Sequence, residues 1–397
     1  MTRGQLIYVC VATALWALSF GVGTQAVSHW LKLESASDTL IGVVHASYYL
    51  GVAGMSFLVP RFARRFGLRC AFAGMLLTVG TLLAFPFADG AVGWLLVRFL
   101  SGAGCALSLI PLETFVSRRT DPSRRSEMFA YYGVSLTIGG AAGIALGLDC
   151  FDRAGLIGAI LGSPRNAFFL GAIFPALSSL AIHVGLPGES WDQESDAAHF
   201  RFQWRKQFLP FATAWGQGFL EGGMLAFLSL YLVEQGMSES ATGLMMGIAM
   251  IGVILFQVPV GWLGDRLGRV PVLIGCYVCV IVGLLGAPVC TSPILLGICL
   301  FVFGACSGAM YPLGLSLLGD KLPAASLARA YSWYMAIECV GSQFGAAIMG
   351  KARDHWGGPA MFYVGTAALA AVLAMWVVVS RAESADAMTT NDLGKAA

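Results

Sequence analysis

Charge is what this 397-residue sequence has least of: Asp, Glu, Lys and Arg make up 12% of it, against about 25% in a water-soluble chain whose surface must be hydrated. Its 24 basic and 22 acidic side chains cannot coat a globule of this size. A water-soluble protein is therefore excluded. The net charge of +2 lacks the basic excess that a nucleic-acid partner requires. Histidine is scarce too, at 5 residues. There is no His-Glu-x-x-His, no phosphate-binding Gly-rich loop ending in Lys-Ser/Thr and no paired metal-ligand spacing. An enzyme is excluded on that ground, and no cofactor or metal is expected. Disulfides are also not expected. Cys10, Cys105, Cys276, Cys279, Cys290, Cys299, Cys306 and Cys339 lie in or at the ends of apolar runs, where a thiol is a small hydrophobe. Cys276-x-x-Cys279 has redox spacing but no βαβ context, and Cys150 stands alone in a loop.

What is abundant completes the argument. Apolar residues make up 57%, mean hydropathy is +0.75 and there are 50 glycines, small residues that let helices approach closely in lipid. A helix needs about 20 apolar residues to cross the hydrocarbon core. Twelve stretches qualify: 6–27, 41–60, 70–88, 91–116, 128–148, 166–186, 209–233, 241–262, 270–289, 293–318, 329–350 and 359–379. The first lacks a small-x-small cleavage site and contains Gln25, so it reads as a span and not as a signal peptide. With both termini cytoplasmic, 18 of the 24 Lys and Arg fall inside, 5 outside, and Arg98 lies within a span. The positive-inside rule selects that orientation. The reading is an all-α protein of the cell (inner or plasma) membrane: an N-terminal six-helix bundle over 1–186, a connector over 187–208, a second bundle over 209–380 and a cytoplasmic tail over 381–397. The end of the connector, Phe200 to Lys206, is basic and aromatic and has an alternative reading as an interfacial helix.

The halves repeat. Ile41-Gly42 meets Thr242-Gly243, Arg65-Phe66-Gly67 meets Arg266-Leu267-Gly268, and Pro111-Leu112 meets Pro312-Leu313, all 201 residues apart. Phe129, Tyr132, Gly139 and Gly143 meet Tyr331, Tyr334, Gly341 and Gly345 at 202, which places one indel after the fourth span. A parallel 6+6 repeat is a transporter architecture.

Gly261-Trp262-Leu263-Gly264-Asp265-Arg266-Leu267-Gly268-Arg269 resembles the loop signature of the major facilitator superfamily, and Arg98-Phe99-Leu100-Ser101-Gly102-Ala103-Gly104 is similar to its fourth-helix motif. The first-half loop keeps Arg65, Gly67 and Arg69 but has Arg64 where the family usually has Asp. The stretch from Pro111 to Gly133 resembles a poorly characterised bacterial subgroup. The resemblance implies two bundles around a central cavity, rocking between inward- and outward-open states, with these loops as gates. By pseudo-symmetry Asp265 should face the start of the fifth span near Ser126 to Met128, and Arg64 the start of the eleventh, with Asp320 as its partner. The exporter pattern Gly-x-x-x-Gly-Pro-x-x-Gly-Gly in the fifth span is incomplete, reading Ser135, Gly139, Gly140, Gly143 and Ile144.

An ionisable group at the bilayer centre costs at least ~2.5 kcal/mol, so each needs a reason. Glu221 lies at the middle of the seventh span, with Gln217 one turn before it and Trp215 nearby; Glu338 lies near the middle of the eleventh. Tyr331, Tyr334, Glu338, Ser342 and Gly345 share a helical stripe. Either acid reads as a proton or cation site, or as a hydrogen-bonded structural acid. Arg98 reads as their counter-charge or as a tie to backbone carbonyls. Glu113 is expected to snorkel towards Arg118 and Arg119, and His45 and His183 to sit at the interface. Gln25, Tyr48, Tyr49, Gln257 and Gln343 are further hydrogen-bonding candidates.

The sequence thus reads as a secondary active transporter for a small organic solute, coupled to protons, exporting by antiport. Uptake by proton symport is the alternative, and a transport-inactive sensor or assembly factor on the same fold is the rival of another class. Its partners are the solute, protons and the lipid bilayer, and a monomer is expected. Two midplane acids against one Arg favour a neutral or cationic solute, and the aromatics suit a ring-bearing one.

Overall fold

The computed structural model describes residues 1–36, 38–150, 156–186, 204–237, 239–290, 292–320, 322–323 and 326–396. Its helices in chain order are α1 (Arg3–Leu33), α2 (Asp38–Ser56), α3 (Val59–Phe66), α4 (Arg69–Ala84), α5 (Gly90–Arg119), α6 (Arg125–Asp149), α7 (Leu156–Leu161) and α8 (Arg165–Gly185). They continue as α9 (Trp204–Glu234), α10 (Glu239–Leu267), α11 (Arg269–Gly286), α12 (Pro293–Asp320), α13 (Leu327–Trp356) and α14 (Ala360–Ala396). Leaving aside the short α3 and α7, twelve long helices remain, six in each half. Among the described residues nine helices are long and apolar enough to cross a membrane, and a bent pair makes a tenth. The protein is an all-α membrane protein of two six-helix bundles.

Backbone contacts divide the chain into two compact units, Met1–Ala198 with Ala324–Ala336, and His199–Pro323 with Ile337–Ala397. The first turns of α13 thus belong with the first unit. The connector falls mostly outside the described residues, including Phe200 to Phe202 of the candidate interfacial helix. Where description resumes, Trp204 already opens α9, inside the segment expected to be connector.

Proline and glycine explain where the helices bend. Pro60, in the first turn of α3, has no N–H to give the preceding turn. The chain there makes short-range bonds instead, Leu58 N–H to Met55 O at 2.8 Å and Arg61 N–H to Leu58 O at 3.0 Å. Val43–Ser56 and Val59–Phe66 consequently meet at 55°. In the second half α10 carries Pro259 inside one unbroken helix. The turns after α3 and before α11 both need a left-handed backbone, with φ of 54° at Gly67 and 97° at Gly268. Only glycine adopts such angles without strain.

Within each bundle glycines set the helix spacing, and they do so in pairs that obey the repeat. A Cβ on Gly139 or Gly143 would run into the carbonyls of Ala14 or Leu18, and one on Gly341 or Gly345 into those of Trp215 or Phe219. Likewise Gly51 lies on the Phe99 carbonyl and Gly102 on that of Tyr48, as Gly252 lies on Phe301 and Gly304 on Ala249. These contacts correct the register. Phe99 and Phe301, like Gly102 and Gly304, are 202 apart, and so are the 3-10 turns Phe85–Phe87 and Ala287–Val289. The one-residue change therefore precedes the fourth span, and the match of Pro111 with Pro312 is one residue out of step.

Candidate functional site

In the second unit α9 and α13 touch along their backbones. Gly218 lies against the Glu338 carbonyl and Gly222 against that of Ser342, so no side chain separates the helices. This brings Glu221 and Glu338 to neighbouring levels of one helix pair. Glu221 is exposed on its helix, whereas Glu338 is half-buried. Ser342 Oγ donates to the Glu338 carbonyl at 3.2 Å. Gln217 stands four residues before Glu221, and its buried Oε1 has no hydrogen-bond partner. Half-buried Trp215 packs on Phe219 with ring centroids 5.0 Å apart.

The other sequence candidates separate into different settings. Tyr331 and Tyr334 are fully buried, in the part of α13 that belongs with the first unit, where Tyr331 meets Phe129 edge-on at 6.0 Å. Gln257 Nε2 donates to the Gly308 carbonyl at 2.9 Å and ties α10 to α12. Gln25 is half-buried beside Gly147, and Gln343 is exposed. Glu113 does not snorkel: it is 1% exposed and accepts from Tyr132 Oη at 3.3 Å.

The first unit holds a second polar cluster, which sequence reasoning missed. Arg98, in α5, is 95% buried, and its Nη2 donates to His45 Nδ1 at 3.3 Å. A guanidinium has only donors, so Nδ1 must be the acceptor and His45 is held as the Nε2–H tautomer. His45 Nε2 then donates to Ser28 Oγ at 2.8 Å, and Ser28 Oγ donates to the Thr24 carbonyl at 3.2 Å. Three helices are linked by one directional chain. The Tyr48 ring lies under the guanidinium, 4.7 Å from its carbon. His45 was expected at the interface because it stands near a span end; the available signal was its spacing from Tyr48, which puts both on one face of α2 towards a buried cation. Arg98, Tyr48, Ser101, Trp16, Phe20 and Thr78 border a narrow cleft.

The gate loops differ between the units. In the second, Arg269 Nη2 and Nε donate to Asp265 Oδ1 at 2.8 and 3.2 Å, and Arg269 Nη1 pairs with Asp320. One guanidinium thus pins the ends of α10 and α12 to the start of α11. Arg266 lies over the Trp262 ring at 3.9 Å. In the first unit Arg64 and Arg65 are exposed in the last turn of α3, with Arg65 over Phe66 at 5.4 Å. Asp320, the expected partner of Arg64, is engaged by Arg269.

Comparison with known proteins gives this architecture its family. The model of the Major Facilitator Superfamily matches residues 6–250 and again 211–395. The chain is 24% identical over 330 residues to an uncharacterized MFS-type transporter, YfkF, of Bacillus subtilis (strain 168), covering 81% of this chain and 82% of that one. Among solved structures it is similar to the MFS transporter FucP in its outward conformation, with a TM-score of 0.78 at 16% identity over 95% of this chain and 99% of that one. It is also similar to the proton:xylose symporter XylE, with a TM-score of 0.77 at 16% identity over 96% and 97%. At such identities the likeness is one of fold. The matched model spans nearly the whole chain in two copies, and the protein belongs to the major facilitator superfamily of membrane transporters.

Proposed function

We propose that the protein carries a small organic solute across the cell membrane by alternating access, coupled to protons, with Glu221 as the residue that takes up and releases the proton. The observation that carries this reading is an exposed carboxyl at the middle of α9, on a helix in backbone contact with the one that bears Glu338, at a depth where lipid does not tolerate an idle acid. Gln217 supports it, since its partnerless Oε1 stands one turn away and suits the protonated acid as donor. Glu338, on the helix in backbone contact with α9, is the second acid of the same site, and Trp215 and Gln343 are its candidate solute contacts. In this reading 1–186 and 209–380 are the moving bundles, 187–208 joins them, both termini and the 381–397 tail are cytoplasmic, and the unit of transport is a monomer. The loops at Arg64–Arg69 and Gly261–Arg269, with Asp320, act as gates.

Export by antiport is the direction proposed. Uptake by symport is the second reading, and two structural neighbours, a fucose:proton symporter and a proton:xylose symporter, favour it. The test is proton release from purified protein on addition of a mixed metabolite and drug library, wild type beside Glu221→Gln. Release by the wild type alone supports competition between proton and solute at Glu221, as antiport requires. Proton uptake with solute supports symport. A ligand that stabilises both proteins without any proton signal rules out the coupling role.

A further inference from the structure

Among the described residues no carboxylate pairs with the buried Arg98. Its Nη2 is occupied by a neutral imidazole, its face by a phenol ring, and its Nε is buried without a partner. The described acids of that unit are engaged elsewhere or lie outside the cleft. Glu113 accepts from Tyr132, Glu127 pairs with Arg124, Asp121 accepts from Ser123, and Asp149 accepts from the Ile157 N–H. Besides His45, the titratable groups that interact with Arg98 or its Tyr48 platform are Tyr48, Tyr49 and Cys105, two phenols and a thiol. A guanidinium out of water retains an unmet demand for an anion, and it is the group best shaped to meet a carboxylate with two parallel hydrogen bonds.

We propose that this cleft binds the carboxylate of a small organic acid, with Arg98 as counter-charge and His45 and Ser28 as the residues that position it. The chain from Arg98 through His45 and Ser28 to the Thr24 carbonyl fixes one end of the guanidinium, which borders the cleft with hydrogen-bonding capacity still unmet at Nε. Trp16 and Phe20, stacked at 5.6 Å between centroids, and Tyr48, 5.3 Å from Phe20, give the cleft an aromatic wall for the ligand's apolar body. Ser101 borders it as a hydroxyl donor, whereas Thr78 donates its hydroxyl to the Gly74 carbonyl. The cleft itself is narrow, so the carboxylate enters it while the apolar body lies at its mouth against the aromatic rings. This reverses the expectation of a neutral or cationic solute, which came from counting acids against Arg98 without asking which charges are already met. The inference deepens the transporter reading and rests on it only for the ligand's onward passage.

The test is equilibrium binding to the full-length protein in nanodiscs of zwitterionic lipid, so that no lipid headgroup supplies the anion. The readout is dose-dependent thermal stabilisation by acetate, benzoate, phenylacetate and indole-3-acetate, each beside its amide. The wild type should be saturably stabilised by at least one aromatic carboxylate and not by its amide. Arg98→Gln should weaken that binding about 10- to 100-fold. His45→Ala should weaken it about 2- to 10-fold, and His45→Gln, whose amide oxygen can accept from Arg98, should restore it; a merely structural histidine would give no such rescue. If Arg98→Gln does not fold, Arg98→Lys decides, because it keeps the charge and loses the fork: weaker binding with carboxylate selectivity intact is expected. Stabilisation by the amides equal to that by the acids, no response to any acid, or carboxylate binding unchanged in Arg98→Gln would each overturn the proposal. No proton or transport step enters this readout, so a failure of the Glu221 experiment leaves it standing, and its own failure leaves Glu221 untouched.

Discussion

The two bundles share their backbone contacts and differ in their charges. Gly51 on Phe99 answers to Gly252 on Phe301, and Gly139 on Ala14 answers to Gly341 on Trp215. The polar side chains do not correspond in this way. The first unit has a buried Arg98 held by His45, and the second has Glu221 and Glu338 on adjoining helices. At the loops the first unit carries exposed Arg64 where the second carries Asp265, clamped by Arg269 together with Asp320. A repeat constrained by close packing keeps its small residues, since any Cβ there forces two helices apart. Charged positions diverge freely once each half takes a different task. The asymmetry of side chains on a symmetric backbone is therefore the part of the molecule that points to function.

The largest expected effect breaks the asymmetry at the loops. Arg269→Ala would leave Asp265, 5% exposed at its side chain, without its guanidinium. Loss of one partner from a buried pair costs about 3 kcal/mol or more. Arg65→Ala, at the repeat-related loop, removes an exposed cation over one ring and should stay within about 0.5 kcal/mol. Thermal unfolding of both variants in the same detergent checks the contrast. Equal losses would mean that the first loop is clamped as firmly as the second.

The symmetric half of the comparison is sharpened by paired glycine substitutions. Gly51→Ala and Gly252→Ala each place a methyl group on a facing carbonyl, of Phe99 or Phe301. Each should lower stability by about 2 kcal/mol, within the usual range for overpacking, and the two losses should agree. A tolerated substitution on one side only would show that the bundles are not packed alike. A smaller effect returns to asymmetry. Tyr277 Oη donates to Thr213 Oγ1 at 3.2 Å in the core of the second bundle, while Ala12, buried, stands at the place of Thr213 in the first. Tyr277→Phe should cost about 1 kcal/mol, measured by the same unfolding assay.

Much of this was legible in the sequence because it rests on apolar length and on glycine. The division of 70–88 from 91–116 falls where α4 ends in a 3-10 turn and α5 opens at Gly90. Gly67 and Gly268 were visible as loop glycines, and their positive φ gives the reason. The break after Ser56 was not legible, since Pro60 breaks its helix while Pro259 leaves α10 continuous. The register of the repeat was misread because two Pro-Leu pairs match one residue out of step with the packing. The Arg98 cluster escaped for another reason. Its partner is a neutral histidine two helices away in sequence, and no spacing rule reveals that a donor chain of Arg98, His45 and Ser28 closes only when α1, α2 and α5 are side by side. Tyr331 and Tyr334 share a face with Glu338 as expected, but burial depends on what covers that face, which periodicity does not report.

The smallest effect lies at the start of α6. Asp121 Oδ1 accepts from Ser123 N–H at 2.9 Å and from Ser123 Oγ at 2.6 Å, capping the turn that leads into α6. The position related by the repeat at 202 residues is Pro323, which has no such oxygen. The Ser123 hydroxyl first, and its backbone N–H next, hold the exposed Asp121 carboxyl below its ordinary value of 3.8. A carboxylate with a depressed folded pKa contributes stability that is fully present above the unfolded pKa and is lost as pH falls through the folded one. Asp121→Asn keeps a capping oxygen but cannot titrate. The variant should therefore be slightly less stable than the wild type near neutral pH, and the gap should close as the pH is lowered past the carboxylate range. Unfolding curves for the two proteins across that range decide it. A gap that persists undiminished in acid would assign the effect to the shape of the cap, and the first bundle would then owe nothing to this charge that the second bundle lacks.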